Sequence, residues 1–354
     1  MTLQFGNPWK HSIRYAVLGL ALVATVGALA ACAPAGAAST PQPGSAAVAQ
    51  PAYADRRILW IDSYHAEYDW SKEVEEGLRS VLDGTGAELK IVRMDTKRNP
   101  SDEYGKQAAV SAKAEIDAFQ PDVIIASDDP AQKYLIVPYV KDTDAPVVFC
   151  CVNWDASGYG YPASNVTGML EIDLVPQMVE LLKPHAKGDR IGYISGDNLT
   201  DQKVVKIYNE RFFDGQMEAI LVKTFDEFKS AYVKMQDEVD ILYFGNNAGI
   251  EGWDDAQAED FVTQNARIPS GSRSSWMAPF VLVTVAKLGQ EQGEWSAQAA
   301  LRILDGTPVS DIAVTENKQG KLFLNLKIAE QLGVAFAPSM LRNAEIYGVE
   351  AANQ

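Results

Sequence analysis

A chain of 354 residues is long enough for two domains with substantial cores. It carries 31 basic against 47 acidic side chains, a formal charge of −16. So acidic a surface repels nucleic acid and anionic headgroups, which excludes DNA, RNA and a bare lipid surface as direct partners.

The first 31 residues stand apart from the fold. Lys10, His11 and Arg14 make a basic start, AVLGLALVATVGALA is an apolar run, and small residues follow. That order describes an export signal. A permanent transmembrane anchor is the competing reading, disfavoured because the run is short for a bilayer. LAAC (29–32) resembles the bacterial lipobox, in which the cysteine is lipidated and becomes the first mature residue. Cys32 is then the attachment point, because its thiol carries the lipid. Ordinary cleavage at a small-residue site, AYA (52–54) being the most distant, is the alternative. Residues 32–54, rich in Ala, Pro, Gly and Ser and without charge, read as a disordered tether. The expected mature protein is exported and lipid-anchored to a membrane facing the periplasm or the cell exterior, touching that membrane through its anchor alone.

From residue 56 short apolar runs alternate with helical patterns. RILWID, ELKIVRMD, PDVIIAS and APVVFC read as strands; WSKEVEEGLRSVL, SDEYGKQAAVSAKAEIDAF and DPAQKYLIVPYV read as the helices between them. Ser101 or Asp102 starts the second helix. The alternation restarts with DLVPQMVELLKP, RIGYIS, TDQKVVKIYNERFF, EAILVKT, FDEFKSAYVKM, VDILYFG and RIPSGS. MAPFVLVTVAK (strand), QGEWSAQAALRILDG (helix) and NKQGKLFLNLKIAEQLG (strand, then short helix) complete the chain. Strands alternating with helices predict an α/β fold: two Rossmann-like lobes, each a parallel sheet covered on both faces. Of the three cysteines, Cys150 and Cys151 are adjacent and read as two buried thiols; a strained vicinal disulfide is the alternative.

Ligands of parallel sheets bind beyond the carboxyl ends of the strands. Those ends nominate Ser63, Tyr64, His65, Tyr68 and Trp70; Ser127, Asp128 and Asp129; and Asn153 and Trp154 in the first lobe. In the second they nominate Ser195, Asp197, Asn246, Asn247, Arg273 and Trp276. DTKR (95–98) is a further tip, and Trp253 lies near another. Asp128 or Asp129 also suits a helix N-cap. Aromatic groups cover the apolar faces of a small solute, Arg273 suits a carboxylate, and Asp128 or Asp129 suits an ammonium.

Catalytic readings are weaker. Ser63, His65 and Asp62 lie close in sequence, but Asp62 alternates to the other strand face, and no G-x-S-x-G elbow occurs. Beyond the signal only His65 and His185 remain, so no histidine pair has metal-ligand spacing. The chain holds no Walker-type phosphate loop, and no G-x-G-x-x-G follows the first strand. The expectation is no enzyme, no cofactor and no metal.

APVVFCCVN, NVTGMLE, DILYFGNNAG and the tail EQGEWSAQAALRILDGTPVSDIAVTENKQGKLFLNLKIAEQLGV resemble the substrate-binding lipoproteins of ABC transporters. The resemblance spans about residues 56 to 345. It implies the type I periplasmic-binding-protein fold, with a ligand held between two lobes joined by three crossovers. Lobe one would hold 55–162 plus 278–308, and lobe two 163–277 plus 309–350. The crossings would fall near 162–167, 276–279 and 308–311. The implied protein is a monomer that delivers a small polar or aromatic solute, amino-acid-like, to an ABC permease. SYHAEYDW and DTKR resemble a branch that accompanies sensor kinases or cyclases, so a membrane sensor protein is the alternative partner.

Overall fold

A computed structural model describes residues 52–349 together with Leu3–Gln4. The rest of the expected signal, Cys32 and nearly all of the expected tether lie outside the described residues.

Two sheets organise the chain. The first is wholly parallel, in the order Thr315–Glu316, Val166–Glu171, Val147–Asn153, Val123–Ser127, Arg57–Asp62, Glu88–Arg93. Its central strand Val123–Ser127 is buried along its entire length, as a run of β-branched residues covered on both faces must be. The second runs Gln319–Asn325, Val283–Lys287, Ser270–Ser272, Ile241–Phe244, Ile191–Gly196, Glu218–Val222. It is parallel except where Gln319–Asn325 meets Val283–Lys287 and Leu3–Gln4 antiparallel, and Ala344–Tyr347 joins it in parallel. Helices begin where the sequence offers caps: Ser101 Oγ accepts from the Tyr104 amide, Asn198 from Asp201, and Thr224 from Glu227.

The chain crosses between sheets after Glu171, after Lys287 and after Glu316. These positions correct the expected boundaries. Val166–Glu171 completes the first sheet and was expected in lobe two; Val283–Lys287 belongs to the second and was expected in lobe one; Thr315–Glu316 returns to the first. Each strand finishes the sheet it pairs with before crossing, and a short β-branched run does not reveal in sequence which sheet that is.

Helix Gly289–Leu304 lies with the first sheet, against helix Asp69–Leu82. The two approach closely through facing glycines. A Cβ on Gly77 would stand 2.1 Å from the Gln290 carbonyl oxygen, and one on Gly293 2.1 Å from that of Val74. Gln292 then reaches between strands: its Oε1 accepts from the Cys151 amide at 2.9 Å and its Nε2 donates to the Leu170 carbonyl. At Cys151 the pairing register with Val166–Glu171 slips, and the residue adopts φ 59°. Cys150 and Cys151 are both buried free thiols, in agreement with the first of the two sequence readings.

Candidate functional site

A cavity of about 520 Å³ lies between the carboxyl ends of the two sheets, lined from both. The first lobe contributes Tyr64, Tyr68, Trp70, Glu73, Lys97, Asp128, Asn153 and Trp154; the second contributes Thr200, Arg273, Ser274, Ser275, Trp276, Lys321 and Phe323. Glu171, Asp173, Lys287 and Leu288, at the crossovers, form part of the wall.

Seven of the residues nominated from strand ends line this cavity directly: Tyr64, Tyr68, Trp70, Asp128, Asn153, Trp154 and Trp276; Arg273 is the eighth. Tyr64 and Tyr68 meet edge to face with centroids 5.2 Å apart, and Lys97 Nζ sits 4.9 and 4.8 Å from the two rings. Trp154, at φ 64°, packs edge-on to Tyr208. Trp276 is 62% exposed. The indole N–H of Trp70 is buried without a partner among the described residues.

The other nominees do not line the cavity, for identifiable reasons. Ser63 is buried and spent on the backbone: its Oγ donates to the Ser127 carbonyl at 2.6 Å and accepts from the Ala131 amide at 2.8 Å. Ser127 Oγ accepts from Trp60 Nε1. Ser195 Oγ and the Asn246 backbone tie two neighbouring strands, while Asn246 Nδ2 donates to Asp201. His65 Nδ1 lies 3.1 Å from Glu67 Oε2. Asp197 accepts from Gln202 on the surface, and Asn247 sits in the adjoining turn. Trp253, a candidate near its tip, is packed into Phe225, Phe228, Phe244 and Phe280. Ser63, His65 and Asp62 form no relay, since Asp62 accepts from Tyr64 N, Ser71 and Arg93. Asp62 instead clamps the loop that carries Tyr64 and Tyr68.

Neither aspartate of the 128–129 pair caps a helix; the cap position belongs to Ser127, whose side chain makes no capping bond. Asp129 accepts from Asn153 Nδ2 at 3.0 Å and Tyr159 OH at 2.7 Å. Asp128 has φ 67°, is 3% exposed, and its carboxylate has no hydrogen-bond or ion-pair partner among the described residues. Burial, then the nearby Glu171, pushes its pKa well above the ordinary carboxylate value.

The most connected part of the wall centres on Asp173, which was not nominated from sequence although its partner Arg273 was. Asp173 accepts from Arg273 Nη1 at 2.9 Å, Lys287 Nζ at 2.9 Å and Tyr208 OH at 2.7 Å. Lys287 also pairs with Glu171 at 2.5 Å. Against a large burial cost, the two cations hold the Asp173 carboxyl below the usual range. The same acids raise Lys287, while burial raises Glu171. Arg273 is thus committed to Asp173, correcting its expected role as a free carboxylate clamp. Of the lining acids, Glu73 accepts from the Gly289 amide and Asp128 alone stays unpaired; of the lining cations, Lys97 alone has no carboxylate partner among the described residues. One ligand atom each from Asp128, Cys151 and Glu171 also lie within 4.8 Å of one another.

Solved structures share this architecture. A ligand-free, open substrate-binding protein with adhesive properties from Clostridium difficile is 17% identical, covering 83% of this chain and all of its own, with a TM-score of 0.62. A conserved domain protein from Vibrio cholerae is 19% identical over 83% of this chain and 99% of its own, at TM-score 0.50. An ABC domain in complex with L-Trp from Streptococcus pneumonia is 19% identical with the same coverage, at TM-score 0.49. No curated protein matches the chain. The fold is that of type I periplasmic binding proteins. The model of the family described as ABC transporter substrate binding protein matches residues 65–347. Its members are extracytoplasmic, non-enzymatic, and bind small-molecule solutes for ABC permeases. With that match over most of its length and both sheets in place, the chain belongs to the family of ABC transporter substrate binding proteins.

Proposed function

We propose that this chain is a lipid-tethered, monomeric binding protein that captures an amino-acid-like zwitterion in the interlobe cavity and presents it to an ABC permease. The observation that carries the solute class is the pairing pattern of the wall. Asp128 is its one unpaired carboxylate and Lys97 its one cation without an acid among the described residues, so an ammonium and a carboxylate on the same solute would complete both. Tyr64, Tyr68, Trp70 and Trp154 offer apolar faces for the rest of the molecule. Solute that contacts both lobes favours the closed arrangement by its higher affinity for it.

Calorimetry with a panel of free amino acids and of their amine-only and acid-only analogues tests this. Zwitterions should bind and both half-molecules should bind far more weakly; equal binding of the acid-only analogue would discard the Asp128 role. Mass spectrometry of the membrane-extracted protein tests the tether: Cys32 should carry the lipid at the mature N-terminus, and a chain beginning unmodified at Asp55 would refute it. The sensor alternative rests on the loops SYHAEYDW and DTKR, which furnish Tyr64, Tyr68 and Lys97 to the cavity. Cross-linking of the loaded protein to a kinase or cyclase outer domain, in place of a permease, would favour it.

A further inference from the structure

We propose that Asp128, Cys151 and Glu171 form a binding site for a borderline divalent metal ion of the zinc type, at the floor of the interlobe cavity. The three residues lie at or near the carboxyl ends of three neighbouring strands of the first sheet: Asp128 follows Val123–Ser127, Cys151 lies two residues before the end of Val147–Asn153, and Glu171 ends Val166–Glu171. All three are buried, and one ligand atom from each lies within 4.8 Å of the other two. In a tetrahedral zinc site with Zn–O of about 2.1 Å and Zn–S of about 2.3 Å, such atoms stand roughly 3.4–3.6 Å apart. About 1 Å of side-chain adjustment closes the difference.

A second observation points to a ligand. Asp128 is 3% exposed, carries no partner among the described residues, and aims its carboxylate at this cluster. Burying an uncompensated carboxylate is costly, and groups so placed are protonated, paired or metal-bound. The charges around it are otherwise balanced, with Glu171 and Asp173 facing Lys287 and Arg273.

The donor set selects the metal. Magnesium and calcium require oxygen ligands, whereas a thiolate beside carboxylates suits zinc or cadmium. Three protein donors leave the fourth position open toward the cavity, where Asp128 and Glu171 form part of the wall. Asp128 cannot serve a metal and a solute ammonium together, so the metal-loaded and ammonium-binding forms are alternative states of one cleft.

The test uses the full chain with zinc or cadmium alone. Cadmium should produce an ultraviolet thiolate-to-metal charge-transfer band at one equivalent. Zinc calorimetry should show binding at one equivalent. Cys151→Ser should abolish the band, whereas Cys150→Ser should retain it. Asp128→Asn, at a position whose carboxylate no described residue needs, should weaken zinc by more than the roughly 10–100-fold typical of outer-shell changes. It also serves as the test should Cys151→Ser fail to fold. Absence of the band, its survival in Cys151→Ser (as Cys32 alone would give), unchanged zinc affinity in Asp128→Asn, or magnesium binding as tightly as zinc would each overturn the proposal.

Discussion

Asp173→Asn should be the most damaging conservative substitution in the cavity wall. The carboxylate is 3% exposed and accepts three hydrogen bonds, two of them from the cations Arg273 and Lys287. The amide keeps the shape but removes the charge. Lys287 retains Glu171, whereas Arg273 keeps only the neutral Tyr208 hydroxyl. Leaving one member of a buried pair uncompensated costs about 3–5 kcal/mol, equivalent to roughly 6–20 °C in Tm at about 2–4 °C per kcal/mol. Thermal and urea unfolding followed by circular dichroism measure it. Adding Arg273→Met should recover part of the loss by removing the orphaned charge. A single-mutant cost below about 1 kcal/mol, or no recovery in the double mutant, would refute this account. The pH dependence follows with a definite sign. The folded pKa of Asp173 lies below its unfolded value, so its contribution is fully present above about pH 4 and is lost as the pH falls below that. The acid limb of the unfolding profile should therefore be shallower in Asp173→Asn than in the parent.

Asp128→Asn should leave Tm unchanged or raise it, because no described group pairs with the carboxylate, while weakening a zwitterionic solute by about tenfold or more through loss of a charge-assisted bond. Calorimetry and thermal unfolding on the same sample separate the two effects. Gly293→Ala should destabilise by about 1–3 kcal/mol through overpacking, outweighing the roughly 1 kcal/mol gain in helix propensity, because its Cβ meets the Val74 carbonyl at 2.1 Å; urea unfolding reads it. Trp276, 62% exposed beside the cavity, should shift its fluorescence to the blue when solute closes the lobes, and Trp276→Phe should abolish that change.

The alternating strand and helix pattern fixes two α/β layers because it is local: β-branched runs such as VIIAS need cover on both faces, and Ser101, Asn198 and Thr224 cap wherever the backbone opens. The rule that ligands sit beyond strand carboxyl ends singled out Tyr64, Tyr68, Trp70, Asp128, Asn153, Trp154, Arg273 and Trp276, all of which line the cavity. Which polar tip residues face the cavity was not legible, because that depends on partners far away in sequence. Ser63 is consumed by the Ser127 carbonyl and the Ala131 amide, and Asn246 by Asp201. The same holds for the crossovers. Val166–Glu171 and Val283–Lys287 look alike as sequence, yet pairing assigns them to different sheets and brings Lys287 to Glu171 and Asp173 from more than a hundred residues away. Residue spacing registers only neighbours along one element, so it could not show that Asp128, Cys151 and Glu171 converge from three strands. Sequence determined the elements and their ends, which short-range propensity and periodicity control; only the tertiary structure decided which charges were paired and which were left facing the cleft.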